Sequence, residues 1–246
     1  MKALILAAGY GTRLYPLTIG MPKALLEIGK KRLIDFLVEK VHEAKIEDIT
    51  VVTNDRFYYD FLEWSRKYPF NISILNDQTK SPEERLGAVG DVEFVLKNES
   101  IDDDVLVLGG DNLFSWDLRD FCAFASKLKK PLVGLYDVGH IEKAKRFGVV
   151  AIDQEGKITY CEEKPSCPTT TLVGTCIYYF PKAFLSLMDK YSAANPDKDT
   201  IGQYIVWLSE ETSVYGYVFK GDWLDIGHKD ALEEAKDKFT DRGEQT

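Results

Sequence analysis

The sequence predicts an α/β protein whose mostly parallel central sheet is covered by helices on both faces. Short apolar runs that suit buried strands alternate with segments whose apolar residues recur at helical spacing. Glycine-rich turns follow several of these runs. From about residue 131 the runs alternate in polarity, which is typical of antiparallel or mixed sheets. Together these observations predict a Rossmann-like three-layer sandwich with a smaller mixed-sheet subdomain.

The first half of the chain alternates strand and helix. An amphipathic helix is expected near 31–45, and an aromatic helix is expected after Asn54 and Asp55. The helical spacing of its aromatic residues favours core packing over a base-stacking platform. Ser81 and Pro82 are typical of a helix start, although two glycines follow soon after. The predicted strands of this half cover residues 4–8, 49–52, 72–75 and 105–108.

The second half is predicted to contain mainly strands. Gly156 is expected in a hairpin turn, and Thr200 begins a capping-box pattern that predicts a helix through Leu208. A last amphipathic helix is expected after residue 227, and residues beyond Thr240 are expected to be frayed. The apolar face of that helix consists of Ala231, Leu232, Ala235 and Phe239. The predicted strands cover residues 131–138, 148–152, 157–162, 172–180 and 214–219.

The composition argues against several classes of protein. A formal net charge of −9 over 246 residues argues against nonspecific binding to nucleic acid or to anionic membranes. No apolar run approaches the about 18 residues of a membrane span, and the amino-terminal run is too short for a signal peptide. The cysteines show neither a Cys-x-x-Cys pair nor zinc spacing with the histidines, so reduced thiols in a cytoplasmic protein are expected. They are Cys122, Cys161, Cys167 and Cys176.

The stretch from Leu4 to Lys23 indicates a phosphate site. An apolar strand ends at a turn where Gly9 and Gly11 place no Cβ between the backbone N–H groups and a ligand. Arg13 and Lys23 add two positive charges within the same loop. This combination favours a polyphosphate ligand. The alternative is an ordinary strand-to-helix turn with incidental basic residues.

Two common phosphate-binding motifs are absent. The dinucleotide fingerprint G-x-G-x-x-G would need a third glycine where Leu14 stands, and the Walker motif does not occur. Pro16 and Pro22 disfavour a helix directly after the glycines, because each lacks a backbone donor and restricts the residue before it. A long, extended loop is therefore expected.

The residues from Ala8 to Thr18, followed by Pro22-Lys23-Ala24-Leu25-Leu26, resemble the signature of the sugar-1-phosphate nucleotidylyltransferases. The resemblance implies that a nucleoside triphosphate is joined to a sugar 1-phosphate with release of pyrophosphate. A later segment, 86–92, loosely resembles the family's base-binding loop, although its glycines could also be interruptions in a surface helix. The nucleotide-binding residues implied are Leu6, Ala8, Gly9, Gly11, Thr12, Arg13, Gln78 and Gly87.

The same resemblance implies a metal site. Asp111 follows the strand at 105–108, so it is expected at the same sheet edge as the glycine loop, and it matches the family's G-D-N aspartate. The acidic run 102–104 offers a rival Asp-x-Asp pattern but precedes the strand, which favours a solvated turn. Asp225 matches a W-x-D-x-G element as the second ligand, or else caps the last helix. Oxygen ligands without histidine or cysteine favour Mg²⁺. The histidines, expected to be surface or packing residues, are His42, His140 and His228.

Further matches imply an acceptor site in the second half. Residues 162–165 match the family's E-E-K-P element, which implies that Glu163 and Lys164 bind the acceptor. The alternative is a surface ion pair, which an adjacent glutamate and lysine commonly form. Gly148 and Gly174 resemble positions that contact the sugar. The implied division is a single domain, 1–240, with nucleotide binding in 1–130, acceptor binding in 131–227 and a closing helix at 228–240. The implied catalytic residues are Arg13, Lys23 and Lys164.

Other functions stay open at this stage. A regulatory module could bind a nucleotide sugar without chemistry, a glycosyltransferase of similar fold could use a finished nucleotide sugar, and a cytidylyltransferase could use an acceptor such as phosphocholine. The joint presence of Lys23, Lys164, Asp111 and Asp225 favours the transferase. The expected partners are a nucleoside triphosphate and a sugar 1-phosphate, with neither nucleic acid nor membrane. The base, the sugar and the oligomeric state, a homodimer being one option, are not predicted.

Overall fold

The computed structural model describes residues 1–195 and 198–240, so the predicted frayed tail lies outside the described residues. The fold is mixed α/β with a mostly parallel sheet and small two-stranded antiparallel sheets, which confirms the predicted class. In chain order the elements are β1 (Lys2–Leu6), β2 (Glu27–Ile28), β3 (Lys31–Arg32), α1 (Leu33–Glu43), β4 (Ile49–Thr53), α2 (Tyr58–Ser65), β5 (Ile72–Asn76), α3 (Gly87–Asn98), β6 (Val105–Gly109), β7 (Asn112–Phe114), α4 (Arg119–Leu128), β8 (Leu132–Asp137), α5 (Ile141–Ala144), β9 (Gly148–Ile152), β10 (Ile158–Glu163), β11 (Leu172–Phe180), α6 (Ser186–Ala194), α7 (Ile201–Glu211), β12 (Tyr215–Val218), β13 (Trp223–Asp225) and α8 (Lys229–Phe239).

The described residues form two compact units, each assembled from separate stretches of the chain. The first unit comprises residues 2–85, 108–118 and 222–240, and the second comprises residue 1 and residues 86–107, 119–195 and 198–221. The glycine loop and both candidate metal ligands belong to the first unit, whereas the candidate acceptor residues belong to the second. The proposed division of binding roles near residue 131 stays a prediction.

The first unit is built on three parallel strands. β1 pairs with β4, with Leu4 opposite Thr50, and β4 pairs with β5, with Val51 opposite Ile74. These strands are apolar because both faces are covered, and Leu4 and Val51 are fully buried. α1 buries the apolar stripe that its helical spacing predicts. Two small ribbons, β2 with β3 and β7 with β13, are antiparallel.

The last helix, α8, is capped by His228 and not by Asp225, which was one of the two roles considered for Asp225. His228 is the residue before α8, and its Nδ1 accepts a hydrogen bond from the backbone N–H of Ala231 at 3.3 Å. Asp225 therefore does not cap the helix, and the assignment of His228 as a plain surface or packing residue was wrong. The predicted apolar face of α8 is buried as expected. It joins Leu14 and Leu113 in one hydrophobic cluster, which fixes the loop and β7 against the helix.

The helix predicted from Ser81 is not present, and this prediction was wrong. Residues 81–84 form an isolated turn in which the Glu84 carboxylate accepts from the backbone N–H of Lys80 at 2.9 Å. The helical segment starts only at Gly87, where φ is +78°. A residue with positive φ cannot continue a right-handed helix from the preceding turn, so the capping pattern has no helix to open.

The second unit contains a mixed sheet, as predicted from residue 131 onward. β8 is antiparallel to β11 and parallel to β12, while β9 and β10 form an antiparallel pair. Gly156, in the turn between β9 and β10, has φ +81°, and Thr200 accepts from the backbone N–H of Gln203 ahead of α7. Both features confirm the turn and cap predicted from the sequence.

The acidic run at 102–104 is partly structural. The carboxylate of Asp104 accepts from the Tyr179 hydroxyl at 2.7 Å, from Lys129 Nζ at 2.7 Å and from the backbone N–H of Lys182 at 2.9 Å. The prediction of a solvated turn is therefore right for Asp102 and Asp103, whose side chains are exposed, and wrong for Asp104. None of the four cysteines is in a disulfide, and no helix in the described ranges could cross a membrane.

A buried carboxylate stabilises the first unit. Asp35 accepts from Trp64 Nε1 at 2.7 Å, Lys67 Nζ at 2.7 Å, the Tyr68 hydroxyl at 2.9 Å and the backbone N–H of Arg32 at 2.8 Å. Burial raises the pKa of Asp35, but these hydrogen bonds outweigh burial and leave that pKa below its ordinary value. The ionised form is therefore the form that stabilises the fold.

Replacing Asp35 by alanine is expected to lower the free energy of unfolding by about 3 kcal/mol, because the indole and hydroxyl donors would lose their acceptor. Urea unfolding measures this. Because the pKa of Asp35 is depressed in the folded state, the part of the wild-type advantage that depends on ionisation is present above pH 3.8, the ordinary value, and is lost as pH falls through the folded-state pKa. The control Asp48→Ala, which removes an exposed ion pair with Lys2, should cost under about 1 kcal/mol. An equal loss in both variants would contradict this account.

Candidate active site

The glycine loop is held in place by a hydrogen bond within the loop and by Asn54, the residue after β4. Asn54 Nδ2 donates to the carbonyl of Ala8 at 2.8 Å, which anchors the start of the loop. Gly11 has φ +63°, and a Cβ there would lie 3.1 Å from Cγ2 of Thr18. The Thr18 hydroxyl donates to the carbonyl of Gly11 at 2.7 Å and closes the loop on itself. Gly11 is thus required by both its conformation and its space.

Gly9 differs from Gly11 in its backbone conformation. It does not adopt a positive φ, and no atom lies within 4 Å of a Cβ built on it. It is exposed, so its bare backbone faces open space beside the loop. No α-helix follows the glycines directly, as the two prolines predict. The extended loop contains only two short 3₁₀ turns, at Thr12–Leu14 and Lys23–Leu25.

One cavity of the first unit brings together the two predicted basic residues of the loop, Arg13 and Lys23, and the two candidate metal ligands. Its volume is about 180 Å³. The basic residues come from the loop, Asp111 follows β6, and Asp225 ends β13. Two positive and two negative side chains therefore meet in a polar pocket although more than two hundred residues separate the first, Arg13, from the last, Asp225, along the chain. The cavity is lined by Gly11, Thr12, Arg13, Leu14, Lys23, Asp111, Asp225 and Gly227.

The carboxylate of Asp111 is held on both oxygens. Lys23 Nζ donates to Oδ2 at 2.5 Å, and Asn112 Nδ2 donates to Oδ1 at 3.2 Å. Trp223 Nε1 donates to Asn112 Oδ1 at 2.7 Å, and since an indole N–H can only donate, this contact fixes which way the amide faces. Asn112 is buried, so the amide links β13 to the orientation of Asp111.

The backbone places Asp225 beside Asp111. Asp225 pairs with Asn112 across the β7–β13 ribbon, and the N–H of Ile226 donates to the carbonyl of Asp111 at 3.0 Å. A Cβ at Gly227 would lie 3.5 Å from Asp225 Oδ2, an ordinary van der Waals contact, and Gly227 lines the cavity beside this carboxylate. The described residues contain no group of three or more His, Cys, Asp or Glu side chains that could hold a metal.

This donor set fits Mg²⁺. The ion is commonly bound by one or two carboxylates, with water and substrate phosphates completing its six oxygen ligands, so a full protein cage is not required. Asp111 and Asp225 supply two carboxylates in a polar cavity that is open to a ligand. Neither histidine nor cysteine lines it, which disfavours zinc.

Gln78, predicted to bind the nucleotide, lies on a tightly fixed turn. It has φ +68°, and its backbone N–H donates to Asn76 Oδ1 at 2.7 Å. Burial raises the pKa of Asp77, whose Oδ1 accepts from both the N–H and the hydroxyl of Thr79. The Thr79 hydroxyl also lies 3.4 Å from that of Tyr10, which belongs to the glycine loop. Gln78 is exposed on this support, and sequence reasoning missed the supporting residues because no local pattern marks them.

Gly87 belongs to the second unit, and its surroundings give it a packing role. A Cβ there would lie 2.4 Å from the carbonyl oxygen of Lys198. The backbone N–H of Val89 donates to that same carbonyl at 3.0 Å. Glycine is thus needed for close approach of two backbone segments, and contact with a base stays a prediction.

The four predicted acceptor residues cluster within the second unit. Gly148 is directly opposite Glu163 in the β9–β10 pair, and Lys164 N donates to the carbonyl of Phe147 at 3.1 Å. Lys164 has φ +47°, and its Nζ lies 3.5 Å from Glu163 Oε1. A Cβ at Gly174 would lie 4.0 Å from the carbonyl oxygen of Gly148. The structure therefore brings residues from three strand ends together, and their roles stay predictions.

Cys176 occupies a position that favours glycine. It lies where the register of β11 against β8 shifts, and its φ is +55°. This conformation is costly for a side chain and free for glycine.

Comparison with known proteins identifies the family. The nucleotidyl transferase family model matches residues 2–242. The bifunctional protein GlmU of Methanocaldococcus jannaschii is 27% identical over 98% of this chain and 55% of its own length. The glucose-1-phosphate adenylyltransferase of Bacillus subtilis is 29% identical over 95% of this chain and 65% of its own length. A Bacillus anthracis crystal structure assigned as a glucose-1-phosphate thymidylyltransferase, in complex with a sucrose, has a TM-score of 0.85 and 28% identity, and the match covers 98% of this chain and 96% of that one.

The chain therefore belongs to the nucleotidyl transferase family. This confirms the resemblance identified from the amino-terminal motif. The chain spans little more than half the length of several of the curated relatives it matches, 55% for the M. jannaschii protein.

Proposed function

We propose that this chain transfers a nucleotidyl group from a nucleoside triphosphate to a sugar 1-phosphate, releasing pyrophosphate, and that the reaction depends on Mg²⁺. The observation that carries the proposal is the meeting of Arg13, Lys23, Asp111 and Asp225 in one cavity beside the glycine loop. A chain that only binds a nucleotide would not need both cations and both carboxylates there.

In the proposed reaction, an oxygen of the acceptor phosphate attacks the α-phosphorus, and the bond from that phosphorus to the pyrophosphate oxygen breaks. Such chemistry requires positioning and charge compensation more than covalent participation by the protein. We assign Arg13 to the β- and γ-phosphates and Lys23 to the α-phosphate. The exposed backbone at Gly9 leaves room for the nucleotide to approach the loop.

The two carboxylates would repel a triphosphate if they acted alone. We assign Asp111 and Asp225 as the residues that hold Mg²⁺, which supplies positive charge to the phosphate oxygens when bound. In the absence of nucleotide, Lys23 neutralises Asp111 by direct contact at 2.5 Å. The same lysine is then available for the α-phosphate once a cation takes its place.

For the acceptor, we assign Lys164 to its phosphate and Glu163, Gly148 and Gly174 to its sugar. The names of the B. subtilis and B. anthracis relatives specify glucose 1-phosphate, which supports a sugar 1-phosphate over phosphocholine. The same names specify different bases, adenylyl and thymidylyl, so the base is left to experiment. Gln78, on its fixed turn, is assigned to contact it.

A substrate panel tests the proposal. The protein is incubated with each of the common nucleoside triphosphates, paired with each of several sugar 1-phosphates or phosphocholine, with and without Mg²⁺, while pyrophosphate is followed. The proposal predicts pyrophosphate only when a triphosphate, a sugar 1-phosphate and Mg²⁺ are all present. Pyrophosphate release with phosphocholine but with no sugar 1-phosphate would contradict the proposal. Absence of pyrophosphate release with every acceptor would also contradict it.

The Asn112 amide is expected to affect metal affinity through Asp111. Asn112→Leu keeps the side-chain size but removes the donor to Asp111 and the acceptor for Trp223, and losing such an outer contact weakens metal binding about tenfold. Mn²⁺ binding, followed by electron paramagnetic resonance with a nonhydrolysable triphosphate present, measures this. Asn98→Leu, on the exposed end of α3, is the matched control and should bind Mn²⁺ as the wild type does. Wild-type affinity in a folded Asn112→Leu variant would show that the amide does not orient the ligand.

A further inference from the structure

Gly202 lies in the first turn of α7 and directly against the carboxylate of Glu163. A Cβ built on Gly202 would lie 2.0 Å from Glu163 Oε2 and 2.9 Å from its Cδ. A Cβ on Gly148 would lie 2.8 Å from the same oxygen. Ordinary van der Waals contact needs more than 3.4 Å, so neither position tolerates a side chain while Glu163 keeps this conformation.

The helix itself does not explain this glycine. Alanine is about 1 kcal/mol more favourable than glycine in a helix interior, and Gly202 does not have a positive φ. Thr200 already caps α7 by accepting from the N–H of Gln203. Glycine at 202 therefore has a local cost for the helix, and the contact with Glu163 is what requires it.

The carboxylate of Glu163 has unused capacity to accept hydrogen bonds. Its side chain is only 18% exposed, and its nearest cation is Lys164 Nζ at 3.5 Å. The described residues give it no hydrogen bond. A carboxylate in this position gains from an O–H donor.

We propose that Gly202 is a positioning residue for the acceptor: its bare Cα lets the Glu163 carboxylate lie against α7, in the orientation that accepts hydrogen bonds from hydroxyl groups of the acceptor sugar. This inference rests on the proposed function. It adds a residue that no motif in the sequence marks, since Gly202 lies 39 positions from Glu163. Gly202 acts through Glu163 and has no contact of its own with the substrate.

Steady-state kinetics of Gly202→Ala, using the sugar 1-phosphate and triphosphate found in the panel, test the proposal. Displacing the carboxylate removes a hydrogen bond to a charged group, so KM for the sugar 1-phosphate should rise about tenfold or more. KM for the triphosphate should change by less than about twofold. In a Glu163→Ala background, Gly202→Ala should leave the sugar KM unchanged, because no carboxylate remains to displace.

Gly216→Ala is the matched control. Its Cβ would lie 2.3 Å from Leu135 Cδ1, also the end of a flexible side chain in the second unit, so it tests whether any similar collision affects the acceptor. It should lower the melting temperature and leave the sugar KM unchanged. A rise in the sugar KM with Gly216→Ala equal to that with Gly202→Ala would overturn the proposal.

Further outcomes would support or overturn the proposal. A wild-type sugar KM in Gly202→Ala, or an equal rise with and without Glu163, overturns the proposal. Gly202→Ala could fail to fold while the double variant with Glu163→Ala folds and has the same sugar KM as Glu163→Ala; this result would confirm the collision and support the proposal. Failure of the double variant to fold as well would overturn the proposal. Absence of any pyrophosphate release by the wild-type protein would instead refute the proposed function.

Discussion

Replacing Asp111 by asparagine should lower turnover by about a hundredfold to a thousandfold. Asp111 and Asp225 are the carboxylates that line the cavity. If they hold Mg²⁺ as proposed, loss of one negative ligand weakens the binding of an ion that contributes several kcal/mol of transition-state stabilisation. The concentration of Mg²⁺ needed for half-maximal rate should rise in parallel. Turnover as a function of Mg²⁺ concentration measures both effects.

Asp230→Asn is the matched control for this substitution. Asp230 lies on the exposed first turn of α8, outside the cavity, and should give wild-type turnover and Mg²⁺ dependence. An unchanged Mg²⁺ titration in Asp111→Asn would place the metal elsewhere. A comparable defect in Asp230→Asn would show that the assay responds to surface charge and not to the cavity.

Replacing Lys23 by alanine is expected to lower turnover by about a hundredfold or more, the scale seen when one preorganised electrostatic contact is lost. Lys23 is four-fifths buried and donates to Asp111 at 2.5 Å, so its ammonium group is already fixed within the cavity. Because it competes with a cation for Asp111, its removal should leave Mn²⁺ binding at least as tight as in the wild type. Turnover and Mn²⁺ binding are measured on the same preparation.

A loss of turnover without a loss of Mn²⁺ binding distinguishes a role of Lys23 in the reaction from general damage to the cavity. Lys31→Ala, which removes an ion pair with Glu39 at 2.7 Å, is the control and should change neither quantity. Full turnover in Lys23→Ala would remove this lysine from the mechanism. Loss of both turnover and Mn²⁺ binding would show that Lys23 holds the cavity together instead.

Local sequence patterns predicted the fold well where an element's own periodicity determines it. β4, β5, α1 and the apolar face of α8 follow the predicted positions, because burial on one or both faces leaves a direct trace in the sequence. The helix predicted from Ser81 was wrong because a single residue has a backbone conformation that the surrounding pattern does not indicate. The capping pattern at Ser81 is sound in itself, but Gly87 with its positive φ prevents a continuous helix.

The cavity could be predicted in outline but not in its supporting contacts. Glycine and charge in the loop, and the position of Asp111 after a strand, pointed to the cavity from short segments alone. The choice between two roles for Asp225 needed the structure, because only coordinates show that His228 caps α8. The contact of Asn112 with Trp223 joins residues 111 positions apart, and no local pattern reports such a pair.

The most direct test of the account follows one labelled atom. The triphosphate found in the panel is labelled at its α-phosphorus and incubated with the matching sugar 1-phosphate and Mg²⁺, and the products are separated. The label is expected to pass into a nucleotide sugar in a one-to-one ratio with unlabelled pyrophosphate, and Lys23→Ala and Asp111→Asn are each expected to slow this transfer by about a hundredfold or more. Label recovered only in free nucleotide, or transfer at the wild-type rate in both variants, would contradict the account.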